Sequence, residues 1–436
     1  DRANYYQKEL DLRMSSSYGP GRYDSNYEEK GNDYPIGYVR WTENRNMQSF
    51  VDMLSSGKLD IDPLITHEYR LENSPAAYDM ILSRQEPFVG IVIKYDDESK
   101  LNRQVDLKSK TYSSEDINTG FIGAGSFAQG SLLPNMKGFC NFIGIATGRG
   151  NTAKFVGDKY GFNYCAASGD EIINDKDINT VFITTRHNLH ADYVLKAIEN
   201  NKHVFVEKPL AMNEDELLKI LSLYNNTNEG GYSKHLMVGF NRRFAPATKF
   251  VKELFNTQQA KSISIRINAG ILPPDHWVND PIVGGGRIIG EVCHFIDLAS
   301  FLADSPIISV AAEKIEDVNS LPNTVIINLK MENGSIASIN YFSNGSSSIP
   351  KERIEIFCGG TIALIDDFKT LTISDRKIKK KKFRNQDKGV ISEVQSFLNS
   401  IKTGNACPIP FKESYASMLA TFKVVQSISE GRKINI

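Results

Sequence analysis

The sequence predicts a parallel α/β domain followed by an α+β domain with a large, mostly antiparallel sheet. A small, partial α/β segment precedes both. Three observations carry this reading. From Asn118 to about Phe240, short β-branched or aromatic runs alternate with helical stretches, the pattern of repeated βα winding. After about residue 245, long strand-like runs dominate. Ahead of residue 96, one helix–strand–helix–strand passage stands behind an irregular, Tyr-rich opening. The composition shifts place boundaries at 1–95 for the opening segment, 96–117 for a linker, 118–243 for the parallel domain and 244–436 for the α+β domain.

In order along the chain, Met47 to Ser56 is expected to be a helix, with Met47, Phe50, Val51 and Leu54 at helical spacing and Gly57 as its stop. Ile65 to Leu71 is expected as a strand. Ser74 is expected to cap a second helix through Leu82, with Pro75 in its first turn. Phe88 to Tyr95 is a β-branched strand. Residues 96–116 are polar and nearly aperiodic, which suits a linker. Strands follow at 119–122, 141–147, 180–184, 203–206 and 235–240, with helices at 151–160, 189–200 and 213–224 and a further helix after the Gly-rich turn. In the last domain strands are expected at 261–269, 306–315, 323–331, 335–343, 352–358 and 361–366, with helices near 287–302 and 389–402. The basic run Arg376 to Arg384 suits a solvated sheet edge that blocks further pairing.

Composition removes several classes of function. The 436 residues suffice for roughly two to three domains of about 150 residues. Hydrophobic residues are 41% and charged residues 24%, close to the globular average. The formal net charge is −1, so no global basic field exists to hold nucleic acid or an anionic membrane. The charge is unevenly spread, with an acidic excess before residue 118 and a basic excess after it. No apolar run approaches the roughly 20 residues of a bilayer span. The five cysteines are widely spaced and form no zinc pattern, so no metal site is expected and a reducing, cytoplasmic location fits. The first residues do not resemble a signal peptide, and the lack of a starting Met suggests a piece of something longer.

Four motifs carry chemistry. Gly123-Ala124-Gly125-Ser126-Phe127-Ala128 is G-x-G-x-x-A after a strand and at the start of a helix. Gly123 permits the tight turn, Gly125 lets the backbone approach a pyrophosphate, and Ala128 allows close helix–strand packing. The helix N-terminus supplies free N–H groups for phosphates. The second strand ends in Thr147-Gly148-Arg149, without the acid that grips the ribose of NAD. An arginine there favours NADP over NAD. Glu207-Lys208-Pro209 ends a strand, where Lys208 faces the crevice in which doubly wound folds bind ligands. Its ammonium can stabilise an alkoxide. Finally, Glu291 and His294 are i, i+3, a spacing that suits a carboxylate-oriented imidazole acting as acid/base.

Together these residues resemble the Gfo/Idh/MocA dehydrogenases over 118–436. The resemblance rests on the Gly-rich turn, Glu207-Lys208-Pro209, Gly239-Phe240-Asn241-Arg242-Arg243-Phe244, and Gly284-Gly285-Gly286 followed by His294 and Asp297. It implies a Rossmann domain plus an α/β domain whose open sheet joins subunits of a homo-oligomer. It also implies hydride exchange between NAD(P) and a secondary alcohol of a sugar, sugar derivative or cyclitol. His294 is then the acid/base, with Lys208 beside it and Glu291 as its carboxylate partner. The cofactor would also meet Thr185, Arg186, His187, His190 and Glu207, and the substrate would meet Arg243, His276, Trp277 and Asp297. Many members carry Asp four residues before the histidine, where this chain has Gly290. Thr185-Arg186-His187-Asn188 likewise departs from the usual Thr-Pro-Asn. Two alternatives come with the resemblance: an NAD-assisted glycosidase and a non-catalytic cofactor-binding regulator. Residues 1–95 resemble the C-terminal part of the catalytic domain of medium-chain zinc alcohol dehydrogenases, as in bi-domain oxidoreductases.

Overall fold

A computed structural model describes residues 2–11, 18–84, 86–95, 103–108, 110–226, 232–257, 259–315, 323–346 and 348–436. The chain divides into two compact units, 1–101 and 102–436. Part of the expected linker, 96–102 and 109, lies outside the described residues.

The first unit holds two parallel strands, β1 (Ile65–Arg70) and β2 (Gly90–Lys94), joined through the helix Ser74–Ser83. Asn73 rather than Ser74 occupies the cap position, and Ser74 is already helical. The helix Glu43–Ser55 begins four residues before the expected start, behind Thr42. None of its residues is buried, so its apolar stripe stands exposed at Met47, Phe50 and Val51.

In the second unit a seven-stranded sheet comprises β3 (Gln104–Asp106), β4 (Asn118–Ile122), β5 (Asn141–Ala146), β6 (Tyr164–Ala166), β7 (Thr180–Ile183), β8 (His203–Val206) and β9 (Leu236–Val238). Its order is β3-β6-β5-β4-β7-β8-β9. The six strands from β4 onward are parallel and repeat the 3-2-1-4-5-6 winding of dinucleotide-binding folds. Residues 104–106, expected within the linker, instead pair antiparallel with β6. All three are exposed, so no apolar alternation marks them as a strand. Phe121, Phe182 and Phe205 face one another across β4, β7 and β8, their rings 4.9 and 5.0 Å apart.

The nine-stranded sheet comprises β10 (Ser262–Asn268), β11 (Ile307–Lys314), β12 (Val325–Met331), β13 (Ile336–Phe342), β14 (Glu352–Cys358), β15 (Thr361–Asp366), β16 (Thr370–Ser374), β17 (Ile378–Lys382) and β18 (Ile434–Asn435). Its order is β17-β16-β15-β14-β10-β13-β12-β11-β18, antiparallel except where β10 meets β13. One face is a continuous apolar row, Ile327–Ile339–Ile265–Ile354–Ile365–Leu371, buried under the helices Pro246–Leu254 and Cys293–Ala303. The lysine-rich β17 is the exposed edge strand.

Two differences in the C-terminal region matter for the site. The helix Val390–Thr403 covers the parallel sheet rather than the antiparallel one: Phe397 lies 5.8 Å from Phe182 and 5.5 Å from Phe205, ring to ring. The long helix Phe411–Glu430, absent from the sequence reading, contributes Phe411, Met418 and Phe422 to one core and Ala420 and Val424 to the other. The two sheets are thereby clamped on either side of one cleft.

Candidate active site

A cleft of about 1590 Å³ opens at the C-terminal ends of the parallel strands, beside the β4–β7 switch point. The Gly-rich turn forms its floor. Gly123 has φ +91°, and a Cβ there would lie 2.5 Å from the Thr184 carbonyl oxygen. Only glycine fits that approach. At Gly125 a Cβ would meet no protein atom within 4 Å, so the backbone faces open cleft. The helical turn after it opens at Ser126, widens to a π-turn over Ala128–Leu132 and continues as Leu133–Met136. This cradle has the room and the backbone donors that a dinucleotide pyrophosphate requires.

Ser126, Phe127 and Ala128 line this floor. The Thr147 hydroxyl donates to the Arg149 carbonyl at 2.6 Å, shaping the turn before the helix Gly150–Tyr160. Arg149 itself is exposed on the cleft wall. Thr185, Arg186 and His187 form the wall beyond β7. His190 lies buried behind them and points Nδ1 at the Pro209 carbonyl, 2.7 Å away. Burial first, with some help from Lys208, lowers its pKa to about 4, so the ring is neutral, with the carbonyl oxygens of Pro209 and Thr185 beside its two nitrogens. It thus ties the loop after β7 to the cis Lys208–Pro209 turn.

Lys208 enters the cleft and donates to the Gly290 carbonyl at 2.8 Å. Beside it Glu207 Oε1 is buried without a partner, and burial pushes its pKa up to about 7 against the pull of Lys208. His294 faces the same cleft, its Nδ1 buried and unpartnered. Burial, then the charges of Arg242 and Lys208, holds it well below the usual imidazole range, so it is a neutral base.

The expected partnership of Glu291 with His294 is not what the structure gives. A π-turn at Ile288–Val292 precedes the helix Cys293–Ala303, and its wider winding breaks the i, i+3 alignment. The Glu291 carboxylate is held by Lys351, Tyr341 and Arg287 instead. Burial raises its pKa, but the Lys351 ammonium, then Tyr341 and Arg287, outweigh burial and hold it at about 2. It remains a fixed anion on the cleft wall.

Three expected substrate contacts also fall elsewhere. Arg243 and Asp297 are buried against each other, with bonds of 2.7 and 2.6 Å, and are tied further to Glu413 and Ser417. They clamp the helix Phe411–Glu430 and are not among the cleft-lining residues. The neighbouring Arg242 takes the cleft position, because successive residues of the 3₁₀ turn Asn241–Phe244 point about 120° apart. It forms a fork with Glu352 at 2.8 and 2.9 Å, and Lys388 completes the cluster at 2.6 Å. His276 accepts from the Val278 N–H at 3.3 Å, capping a short turn, and is also absent from the wall. Trp277 does line the cleft, with Arg186 stacked 4.2 Å from its ring.

Sequence reasoning missed Arg242, Glu352 and Lys388. Two adjacent arginines gave no means of choosing between them, and Glu352 and Lys388 are more than 100 residues away. A faint signal existed at Gly389: it has φ +88°, and a Cβ there would sit 2.4 Å from the Asn241 carbonyl oxygen. That close approach brings Lys388 to the arginine.

Fold and cleft together join a Rossmann-type parallel sheet, with its Gly-rich cradle, to a large, mostly antiparallel sheet. Residues 117–230 match the family described as the GFO_IDH_MocA oxidoreductase family, NAD-binding Rossmann fold. Over those residues the chain carries this family's NAD-binding Rossmann fold, and it is an oxidoreductase. It is similar to the myo-inositol 2-dehydrogenase of Thermotoga maritima, with 23% identity over 298 residues, 64% of this chain and 86% of the relative. It is similar also to an uncharacterized oxidoreductase of Bacillus subtilis, with 26% identity over 273 residues, 60% of this chain and 76% of that one. Among solved structures, a levoglucosan dehydrogenase in complex with NADH and levoglucosan superposes with a TM-score of 0.65 at 20% identity. That superposition spans 73% of this chain and 99% of the other and shows the shared fold. No helix among the described residues is long and apolar enough to cross a membrane.

Proposed function

We propose that the protein is an NAD(P)-dependent dehydrogenase acting on a secondary alcohol of a sugar, sugar derivative or cyclitol. The observation that carries this is the convergence of Lys208, His294 and the Gly-rich turn on one cleft. The dinucleotide would lie along Gly123–Ala128, Thr147–Arg149, Thr185–His187 and Glu207–Lys208. When bound, its nicotinamide supplies the hydride acceptor. The chain's own residues handle the proton and the charge. His294, neutral and lining the cleft, takes the hydroxyl proton. Lys208, held by the Gly290 carbonyl, stabilises the developing alkoxide. Glu291 stays ionised and balances the cations of this wall, in place of the orienting role expected for it. Arg149 supports NADP over NAD, since an exposed guanidinium on the cleft wall after the second strand can pair with a 2′-phosphate.

The open face of the nine-stranded sheet supports a homo-oligomer. Ile326, Ile336, Phe357 and Ile362 share that face and are exposed. The alcohol dehydrogenase-like reading of residues 1–95 rests on its parallel strand pair with an intervening helix. Titration with NADPH and NADH, followed by nicotinamide fluorescence, tests the cofactor reading, and a polyol screen for cofactor reduction tests the activity. Failure to bind either dinucleotide would overturn the proposal.

A further inference from the structure

Gly290 and His187 occupy complementary space. A Cβ built on Gly290 would lie 2.6 Å from His187 Cε1 and 3.1 Å from Nδ1. Any side chain at 290 would therefore expel the imidazole. Gly290 also presents its carbonyl to Lys208 at 2.8 Å, so the same residue seats both the lysine and the histidine.

The ring of His187 is fixed from several sides. Nδ1 lies 2.8 Å from the Gly284 carbonyl oxygen, which can only accept, so Nδ1 carries the proton. The Trp277 ring meets it edge-on at 4.7 Å. The adjacent backbone is held too, with Asn188 N–H donating to the Val283 carbonyl at 3.3 Å. Burial, then the Lys208 charge, lowers the His187 pKa to about 3, so the ring is neutral. With Nδ1–H committed to Gly284, Nε2 is left with a lone pair. These fixing contacts come from residues 277–290, on the substrate side of the cleft, and His187 lines that cleft.

We propose that His187 accepts a hydrogen bond from a second hydroxyl of the substrate, next to the reacting one, and that position 290 is glycine to admit it. This rests on the dehydrogenase reading above and narrows it. A neutral acceptor selects a vicinal diol over an isolated secondary alcohol. It also repels a carboxylate at that point, because two lone-pair sites would face each other.

The probes are cis-cyclohexane-1,2-diol and cyclohexanol, which differ in one hydroxyl. Their binding to the NADH-loaded protein and their oxidation with NAD(P)⁺ are both measured. Wild-type protein should favour the diol by roughly 10²-fold, and His187→Leu should bring the ratio near one. Gly290→Ala should do the same by displacing the ring. An unchanged ratio in both variants overturns the assignment. Imidazole ¹⁵N spectra of the resting protein give a readout independent of turnover. The Nδ1–H tautomer of His187 is expected, and an Nε2–H tautomer overturns it. Diol binding without oxidation would defeat the dehydrogenase reading alone. Oxidation of cyclohexanol without diol preference would defeat the His187 assignment alone.

Discussion

The two walls of the cleft are built by different physics. The wall on the parallel sheet works through main chain. Gly123 and Gly125 let the backbone border the ligand space closely, and the shape depends on the absence of side chains. The facing wall works through buried charge. Arg242, Glu352 and Lys388 form one cluster, and Glu291, Lys351, Tyr341 and Arg287 form another. Such charges are costly to bury and hold only as complete sets. A defect in the first wall should therefore act locally on the dinucleotide, whereas one in the second should act on the whole domain. Lys208 stands where the walls meet, bonded from a strand end to a carbonyl of the opposite wall.

That contrast can be broken or sharpened experimentally. Lys208→Ala should have the largest effect, lowering kcat by about 10³-fold with NADH affinity within a few-fold of wild type. Wild-type turnover in that variant would remove Lys208 from the mechanism. Glu352→Gln leaves Arg242 and Lys388 without their buried anion and should cost about 3 kcal/mol in chemical unfolding. The pH dependence sharpens this. Burial opposes ionisation of Glu352, but Arg242 and then Lys388 hold its pKa at about 2, below the usual carboxyl value. Its contribution is therefore complete above about pH 4.5 and is lost as pH falls toward 2, and the variant should lack that acid limb.

Gly123→Ala should cost about 1–3 kcal/mol through its positive φ, with the loss falling mainly on dinucleotide affinity, read by fluorescence titration. A global loss without an affinity change would erase the distinction between the walls. Glu207 bears the opposite sign from Glu352. Burial raises its pKa to about 7, so the native state holds a proton that the unfolded chain releases near pH 4.5. Its contribution to stability falls as pH rises from about 4.5 to 7, and Glu207→Gln should flatten that slope in urea midpoints. The smallest effect is expected from Arg149→Ala, a loss of roughly tenfold in NADPH over NADH preference.

The same helical signal had different outcomes along the chain. The stripe of Glu43–Ser55 is clear in sequence, yet none of its residues is buried. In the helix His190–Glu199, five residues are buried. Periodicity reports an apolar face, and burial depends on what else is packed there. The helix Phe411–Glu430 shows the reverse. It packs on two cores and buries Ser414, Ser417, Thr421 and Ser427 among its apolar residues, so no single apolar stripe marks it.

The sequence by itself determined the parallel winding, the Gly-rich turn, the strand-end lysine and the histidine at 294. Each is a local pattern whose meaning depends on a few neighbouring residues. Tertiary structure alone decided which of Arg242 and Arg243 meets the cleft, where the Glu291 carboxylate is spent, and why His187 needs a glycine at 290. Those outcomes depend on distances between segments tens to more than a hundred residues apart, and on the phase of two irregular helical turns. Neither is written in local spacing.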